Sequence, residues 1–144
     1  MKGRASAPAK IILFGEHFVV YGSPAILASI DRRIEVLAKK GKDSKVTIRS
    51  DIAAGEFDGS TFRLIEGSNA RAALEPLYFA AKQALAARKQ KTGLEIEIKS
   101  DVPYGVGLGS SAATLIASIA AVESLLGRPD RKNICESAIE AERI

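Results

Sequence analysis

The chain has 144 residues, 47% apolar and 26% charged, a balance that excludes a disordered segment and gives enough length for one domain with a real core. Its net charge of +4 suits an anionic small molecule and, without a clustered basic patch, argues against nucleic acid as a partner. The single cysteine, Cys135, excludes an internal disulfide, and no signal peptide or membrane-spanning apolar run is found, so a cytoplasmic domain with no membrane partner is expected.

The predicted elements follow in chain order. AKIILFG (Ala9 to Gly15) is a short apolar run that reads as a buried strand. Residues 23–41 read as an extended segment or two strands, with Ile34 and Val36 alternating against Arg33 and Glu35, and KVTIRS (Lys45 to Ser50) reads as another strand. Residues 53–59 carry two glycines and two acids and read as a loop. From Asn69 to about Lys89 the period becomes helical, with Leu74, Leu77, Tyr78, Ala81 and Leu85 on one side. The basic end, ARKQKTG, reads as cations at a helix C-terminus closed by Gly93; it lacks the interleaved aromatic residues of an RNA-binding patch.

GLEIEIKSDV (Gly93 to Val102) alternates strictly and predicts a half-buried strand. A glycine-rich stretch follows, then a helix marked by Leu115, Ile119, Val122 and Leu126 and stopped by Gly127 and Pro129. A last helix starts near Asp130, with Ile134, Ala138 and Ala141 on its apolar side and Glu136, Glu140 and Arg143 opposite. Cys135 within it reads as an inert buried thiol, and Glu142, four after Ala138 and three after Ile139, falls towards the apolar side, where a carboxylate needs a partner. The order predicts an α+β domain over residues 1–144, a mixed sheet with helices packed on one face.

PYGVGLGSSAA, Pro103 to Ala113, carries chemistry. Glycines at 105, 107 and 109 permit positive φ and a close ligand, and Ser110 and Ser111 fall where the next helix begins. Consecutive backbone N–H groups and a helix N-terminus would together form a phosphate site. A Walker A loop is excluded because no lysine precedes either serine, and the dinucleotide fingerprint fails because Ser110 stands where its third glycine belongs. The competing reading is a tight strand-to-helix turn with a serine cap. The second unusual stretch is SAPAKIILFGEHFVVYG, where Lys10 heads the apolar strand and Glu16 and His17 follow it at Gly15. A charged pair between ILFG and FVV costs free energy unless it is satisfied, used, or solvated in a turn.

Taken together, APAKIILFGEHFVVYG and PYGVGLGSSAA resemble motifs one and two of the GHMP kinases, and the wording is nearest to that of the mevalonate kinases within that group. The resemblance implies a ribosomal protein S5 domain 2-like fold and an ATP-binding N-terminal kinase domain, with ATP and mevalonate as ligands and Mg²⁺ as cofactor. Pro103, Tyr104, Gly105, Val106, Gly107, Leu108, Gly109, Ser110, Ser111, Ala112 and Ala113 match the phosphate loop, and Ser111 matches the serine on Mg²⁺. Lys10 matches the catalytic lysine beside the reacting hydroxyl; Glu16 and His17 match the mevalonate pocket; EAER matches the segment whose glutamate, here Glu142, binds Mg²⁺. The family's aspartate base and C-terminal domain would lie beyond Ile144, and the helical ending AIEAERI carries no stop signal. An isolated chain of this kind is expected to be inactive and to expose an apolar inter-domain face prone to association, a homodimer included. Other acceptors (phosphomevalonate, homoserine or a sugar) and a non-catalytic nucleotide- or RNA-binding module are the competing readings.

Overall fold

The alternation of small apolar and polar residues that opens the chain makes a long antiparallel hairpin. The computed structural model describes residues 1–103 and 105–143. In it β1 (Lys2–Phe14) pairs with β2 (Ile26–Lys40) from Lys2↔Lys39 to Phe14↔Ile26. β1 is longer than its apolar run because Gly3, Ala5, Ala7 and Ala9 face inward at every second position, Ala5 partly buried and the others buried. β2 is one strand, bent where the register jumps from Pro8↔Arg33 to Ala9↔Ile30, an irregularity opposite a proline that has no N–H to give the ladder.

β3 (Val46–Arg49) is followed by β4 (Ala54–Asp58) and β5 (Thr61–Glu66), which form a hairpin turning at Gly59. The loop expected over residues 53–59 is therefore a strand. Its glycine is a packing site: a Cβ on Gly55 would meet the Phe62 ring at 2.4 Å, and Phe57 stacks on Tyr78 with ring centroids 4.4 Å apart. β6 (Leu94–Ser100) buries Leu94, Ile96 and Ile98 and inserts between β2, antiparallel, and β3, parallel. The mixed sheet has the order β1-β2-β6-β3-β4-β5.

Three helices cover one face: α1 (Ala70–Ala87), α2 (Ser110–Leu126) and α3 (Arg131–Ala141). α1 ends before its basic tail. Lys89 adopts φ +52°, its N–H bonds Ala86 O, and Gln90 N–H bonds Leu85 O. This is the two-bond C-terminal closure usually made with glycine, here made by lysine; Gly93 instead leads into β6, its N–H bonding Asp43 O. α2 is the spine of the domain, burying Ala113, Ala117, Ala121, Leu115, Ile119, Val122 and Leu125 against the sheet and the other helices. None of the helices among the described residues is long and apolar enough to cross a membrane. The opposite face of the sheet is charged and open, with Lys39 paired to Glu97 at 2.9 Å and Glu56 held by Lys45 and Arg63, each at 3.2 Å.

α2 approaches β1 closely only because β1 is built from small residues there. A Cβ on Gly3 would stand 2.0 Å from Ala121 O and 2.5 Å from Leu125 N. Gly3→Val is expected to cost about 1–3 kcal/mol by overpacking, read as a lowered midpoint in urea unfolding, while Lys2→Ala on the exposed side leaves the midpoint nearly unchanged. A second expectation concerns Glu56, whose pKa is lowered by hydrogen bonds from Arg63 and then Lys45. Its contribution to stability is present above the ordinary carboxylate pKa and is lost as pH falls through the lowered one. Glu56→Gln should therefore reduce the melting temperature at pH 7 and have no effect in strong acid.

Candidate functional site

The strand-to-helix connection after β6 is shaped by its glycines. Gly105, Gly107 and Gly109 adopt φ +76°, +73° and +68°, and around the first two a Cβ would meet nothing within 4 Å, so the loop curls around open space. Gly109 is the N-cap of α2 and has no side chain with which to close the first turn. Ser110 and Ser111 are thus the first two helical residues and not a serine cap, and Ser111 is exposed. The N–H groups of this turn point out of the helix without intrahelical partners, beside the positive end of a 17-residue helix. Pro103 and Val106 are exposed, Leu108 packs on the core, Ala112 is half-buried and Ala113 is buried. Tyr104 lies outside the described residues.

Lys10 is joined to this loop. Its backbone N–H bonds Leu108 O at 3.0 Å, so the loop covers the edge of β1 at that point. Its side chain runs directly over Gly109: a Cβ there would meet Lys10 Cγ and Cε at 2.9 Å each. The ammonium, one bond past Cε, stands at the rim of the loop, and among the described residues no ion pair engages it. A cation beside a helix N-terminus is a like-sign juxtaposition. An anion between the two removes the conflict, and a phosphate chain has the shape to do so.

Glu16 and His17 are exposed, in the turn just past β1. Gly15 and Gly22 bracket this segment at φ +89° and +86°, and a single 3₁₀ turn, Val19–Tyr21, buries nothing. Around it Phe14, Phe18, Val20 and Tyr21 are 69%, 67%, 75% and 85% exposed, an apolar surface with no cover.

Two expectations for α3 change. Cys135 is exposed, not buried. Ile134, Ala138 and Ala141 face the core, which turns Cys135, Ile139 and Glu142 outward; Ile139 is 55% exposed, and Glu142 is an exposed C-cap instead of lying on the apolar side. The structure therefore brings together Lys10 and loop 105–111, and leaves Glu16, His17 and Glu142 open to solvent at other elements.

A cavity of about 510 Å³, not foreseen from the sequence, adjoins the loop. Ile98, Val102 and Leu77 make its apolar lining, Asp51 lies at one side, and Ser110 and Ser111 at another. Pro76, inside α1, also lines it, together with Ala72. Proline at 76 removes the N–H that would have paired with the Ala72 carbonyl, so that acceptor has no helical partner from residue 76. Pro76 within a helical pattern was the one sequence signal that could have pointed here.

Residues 75–144 match the family described as the GHMP kinases N terminal domain. The chain is 42% identical over 140 residues to a mevalonate kinase of Pyrococcus furiosus, covering 88% of this chain and 40% of that protein. It is 39% identical over 144 residues to one of Methanothermobacter thermautotrophicus, covering 100% of this chain and 43% of the relative. Among solved structures, the mevalonate kinase of Methanococcus jannaschii superposes with a TM-score of 0.77 at 26% identity, covering 99% of this chain and 46% of the other. The galactokinase of Lactococcus lactis, at 24% identity and a TM-score of 0.72, shares the fold. The chain thus spans about 40% of the length of the curated relatives it matches.

Gly109 and Gly105 differ in what a methyl group would meet, and this separates backbone strain from the Lys10 contact. Gly105→Ala should cost about 1–2 kcal/mol for the left-handed conformation alone. Gly109→Ala should cost more, because the Lys10 stem must also move. Urea unfolding of the two variants checks this, and equal costs would show that Lys10 yields freely.

Proposed function

The chain belongs to the GHMP kinases, and we propose that it is the nucleotide-binding part of a mevalonate kinase, which moves the γ-phosphoryl group of ATP to a hydroxyl of mevalonate. The observation that carries the reading is the Lys10 side chain lying across Gly109, the N-cap of the phosphate-loop helix. The similarity to mevalonate kinases over nearly the whole chain supports the choice of acceptor.

In this reading the N–H groups of loop 105–111 and of the first turn of α2 hold the phosphate chain, and the adjoining cavity takes the nucleoside. The acceptor oxygen bonds the γ-phosphorus as the bond from that phosphorus to the bridging oxygen of ADP breaks. The hydroxyl proton leaves to a general base. Lys10 favours the deprotonated acceptor and balances charge on the transferring group; such transfer depends mainly on positioning and charge stabilisation. Glu16 and His17 line the acceptor side, and the exposed apolar turn around them seats further parts of the protein, consistent with relatives more than twice as long.

The donor types suit Mg²⁺, with Ser111 at the start of α2 and Glu142 at the end of α3 standing on separate elements. Ser111 and Glu142 offer hard oxygens, and among the described residues no three His, Cys, Asp or Glu side chains cluster into a cage of their own. Mg²⁺ usually binds through one or two protein oxygens plus substrate phosphates and waters. When bound it would neutralise phosphate charge, with Ser111 and Glu142 as its protein ligands.

The test is ADP release by the whole protein with ATP and a panel of mevalonate, phosphomevalonate, homoserine and galactose. Turnover is expected with mevalonate, lost in EDTA and restored by Mg²⁺. Lys10→Met should lower kcat by about 10²–10³-fold, the scale of removing one charge-stabilising group. Turnover with another acceptor alone would overturn the substrate, and nucleotide binding without turnover on any acceptor would overturn the kinase reading.

A further inference from the structure

Glu123 is the one charged side chain among the described residues that is fully buried, at 1% exposure. A buried carboxylate persists only where its oxygens are satisfied. It sits near the C-terminus of α2, where its own carbonyl accepts the Gly127 N–H at 2.9 Å and the dipole of its own helix opposes a negative charge. The carboxylate turns instead to the favourable N-terminus of α3. Oε2 accepts the backbone N–H of Asp130, the N-cap, at 2.8 Å, and Oε1 accepts the side-chain amide of Asn133. The Asp130 carboxylate in turn accepts the Lys132 N–H at 3.1 Å.

In an ordinary capping box, the third helical residue supplies the carboxylate that reaches back to the N-cap N–H. Here that third residue is Asn133, which donates, and the carboxylate comes from the preceding helix. The cap of α3 is therefore also its tie to α2. The apolar hold on α3 is thin, namely Ile134, Ala138 and Ala141. The remaining polar ties are more exposed: the Arg88 guanidinium to Arg128 O, and the Gln83 amide to the Glu140 carboxylate, both at 2.7 Å.

We propose that Glu123 is a positioning residue: by fixing the direction in which α3 leaves α2, it holds Glu142, at the far end of α3, for a nucleotide-bound metal. The inference rests on the reading of Glu142 as a metal ligand. An 11-residue helix is about 16 Å long. A tilt of roughly 10° at its first turn would displace its end by about 3 Å, whereas metal ligation tolerates only a few tenths of an ångström.

The experiment measures binding of a fluorescent ATP analogue to the whole protein with Mg²⁺ and with EDTA, alongside thermal melting. Glu123→Leu removes the tie and the cap together; Glu123→Leu with Asn133→Glu restores an ordinary capping box inside α3 without the tie. Both variants should lose about tenfold of the affinity gain given by Mg²⁺, the scale of losing a ligand-orienting group, with metal-free affinity unchanged within about twofold. The double variant should recover the melting temperature but not the gain. Recovery of both would make Glu123 a cap only and overturn the proposal, as would a full Mg²⁺ gain in Glu123→Leu. Glu142→Gln separates the two layers: if it keeps the gain, the metal reading of Glu142 fails and the positioning role falls with it; if it alone loses the gain, only the role of Glu123 fails.

Discussion

The contact on which the rest of this domain depends is the Lys10 stem against the α-carbon of Gly109. It joins the sheet edge to the start of the central helix at a point where neither could otherwise be specified. β1 is held on one side by β2, beneath by α2 at Gly3, and on its free edge by the Leu108 carbonyl. The lysine is therefore not a free surface cation; it is partly buried and its stem packs over Gly109. Because the ammonium and the helix terminus carry the same sign, the pair is electrostatically incomplete without an anion. A charge at a helix terminus is worth about 0.3–1 kcal/mol at the surface and up to about 2 when partly buried. That is enough to bias the loop towards a phosphate but too little to hold one alone, so the backbone N–H groups have to supply the rest.

α2 transmits this arrangement through the molecule. Its N-terminus closes the glycine loop, its middle fills the core, and its C-terminus carries the buried Glu123 that meets the start of α3. α2 meets β1 at Gly3, where the Ala121 carbonyl and the Leu125 backbone come close, so its position there is set by backbone contact. Positions fixed by backbone contact cannot relax to accommodate a side chain, and this constraint sits in the C-terminal half of α2, away from the glycine loop at its start.

The strongly periodic parts of this chain were legible before any coordinates. Leu94, Ile96 and Ile98 alternate as the strand they form, and Leu74, Leu77, Ala81 and Leu85 face inward as their spacing demands. β4 was not legible, because Gly55 and two acidic residues are turn formers by composition; only the ring of Phe62, seven residues away, makes Gly55 the right residue for a strand. The inward arc of α3 was half legible. Ile134, Ala138 and Ala141 define one stripe and Cys135, Ile139 and Glu142 the adjacent one, and a helix this short does not choose between neighbouring stripes by pattern alone. The choice is made by α1 and α2, and it exposes both the thiol and the carboxylate.

The glycine loop was readable because its signal is local: three glycines and two serines fall within seven residues. The cavity beside it is not local. It is assembled from the β3–β4 turn, α1, the end of β6 and the start of α2, each ordinary when read alone. Pro76 marks the difference. In the sequence it is a break in a helical pattern; in the fold it lines a cavity that no single segment encodes. The same reasoning applies to the turn after β1. Phe18, Val20 and Tyr21 are apolar enough to belong to a core, yet they bury nothing, and their own backbone hydrogen bonds hold the turn together without that core. A segment that keeps its shape while leaving its apolar side chains in water has the conformation of an interface already formed. For such a turn, docking requires little further ordering of the backbone, so more of the free energy of burying those side chains is available to hold whatever covers them.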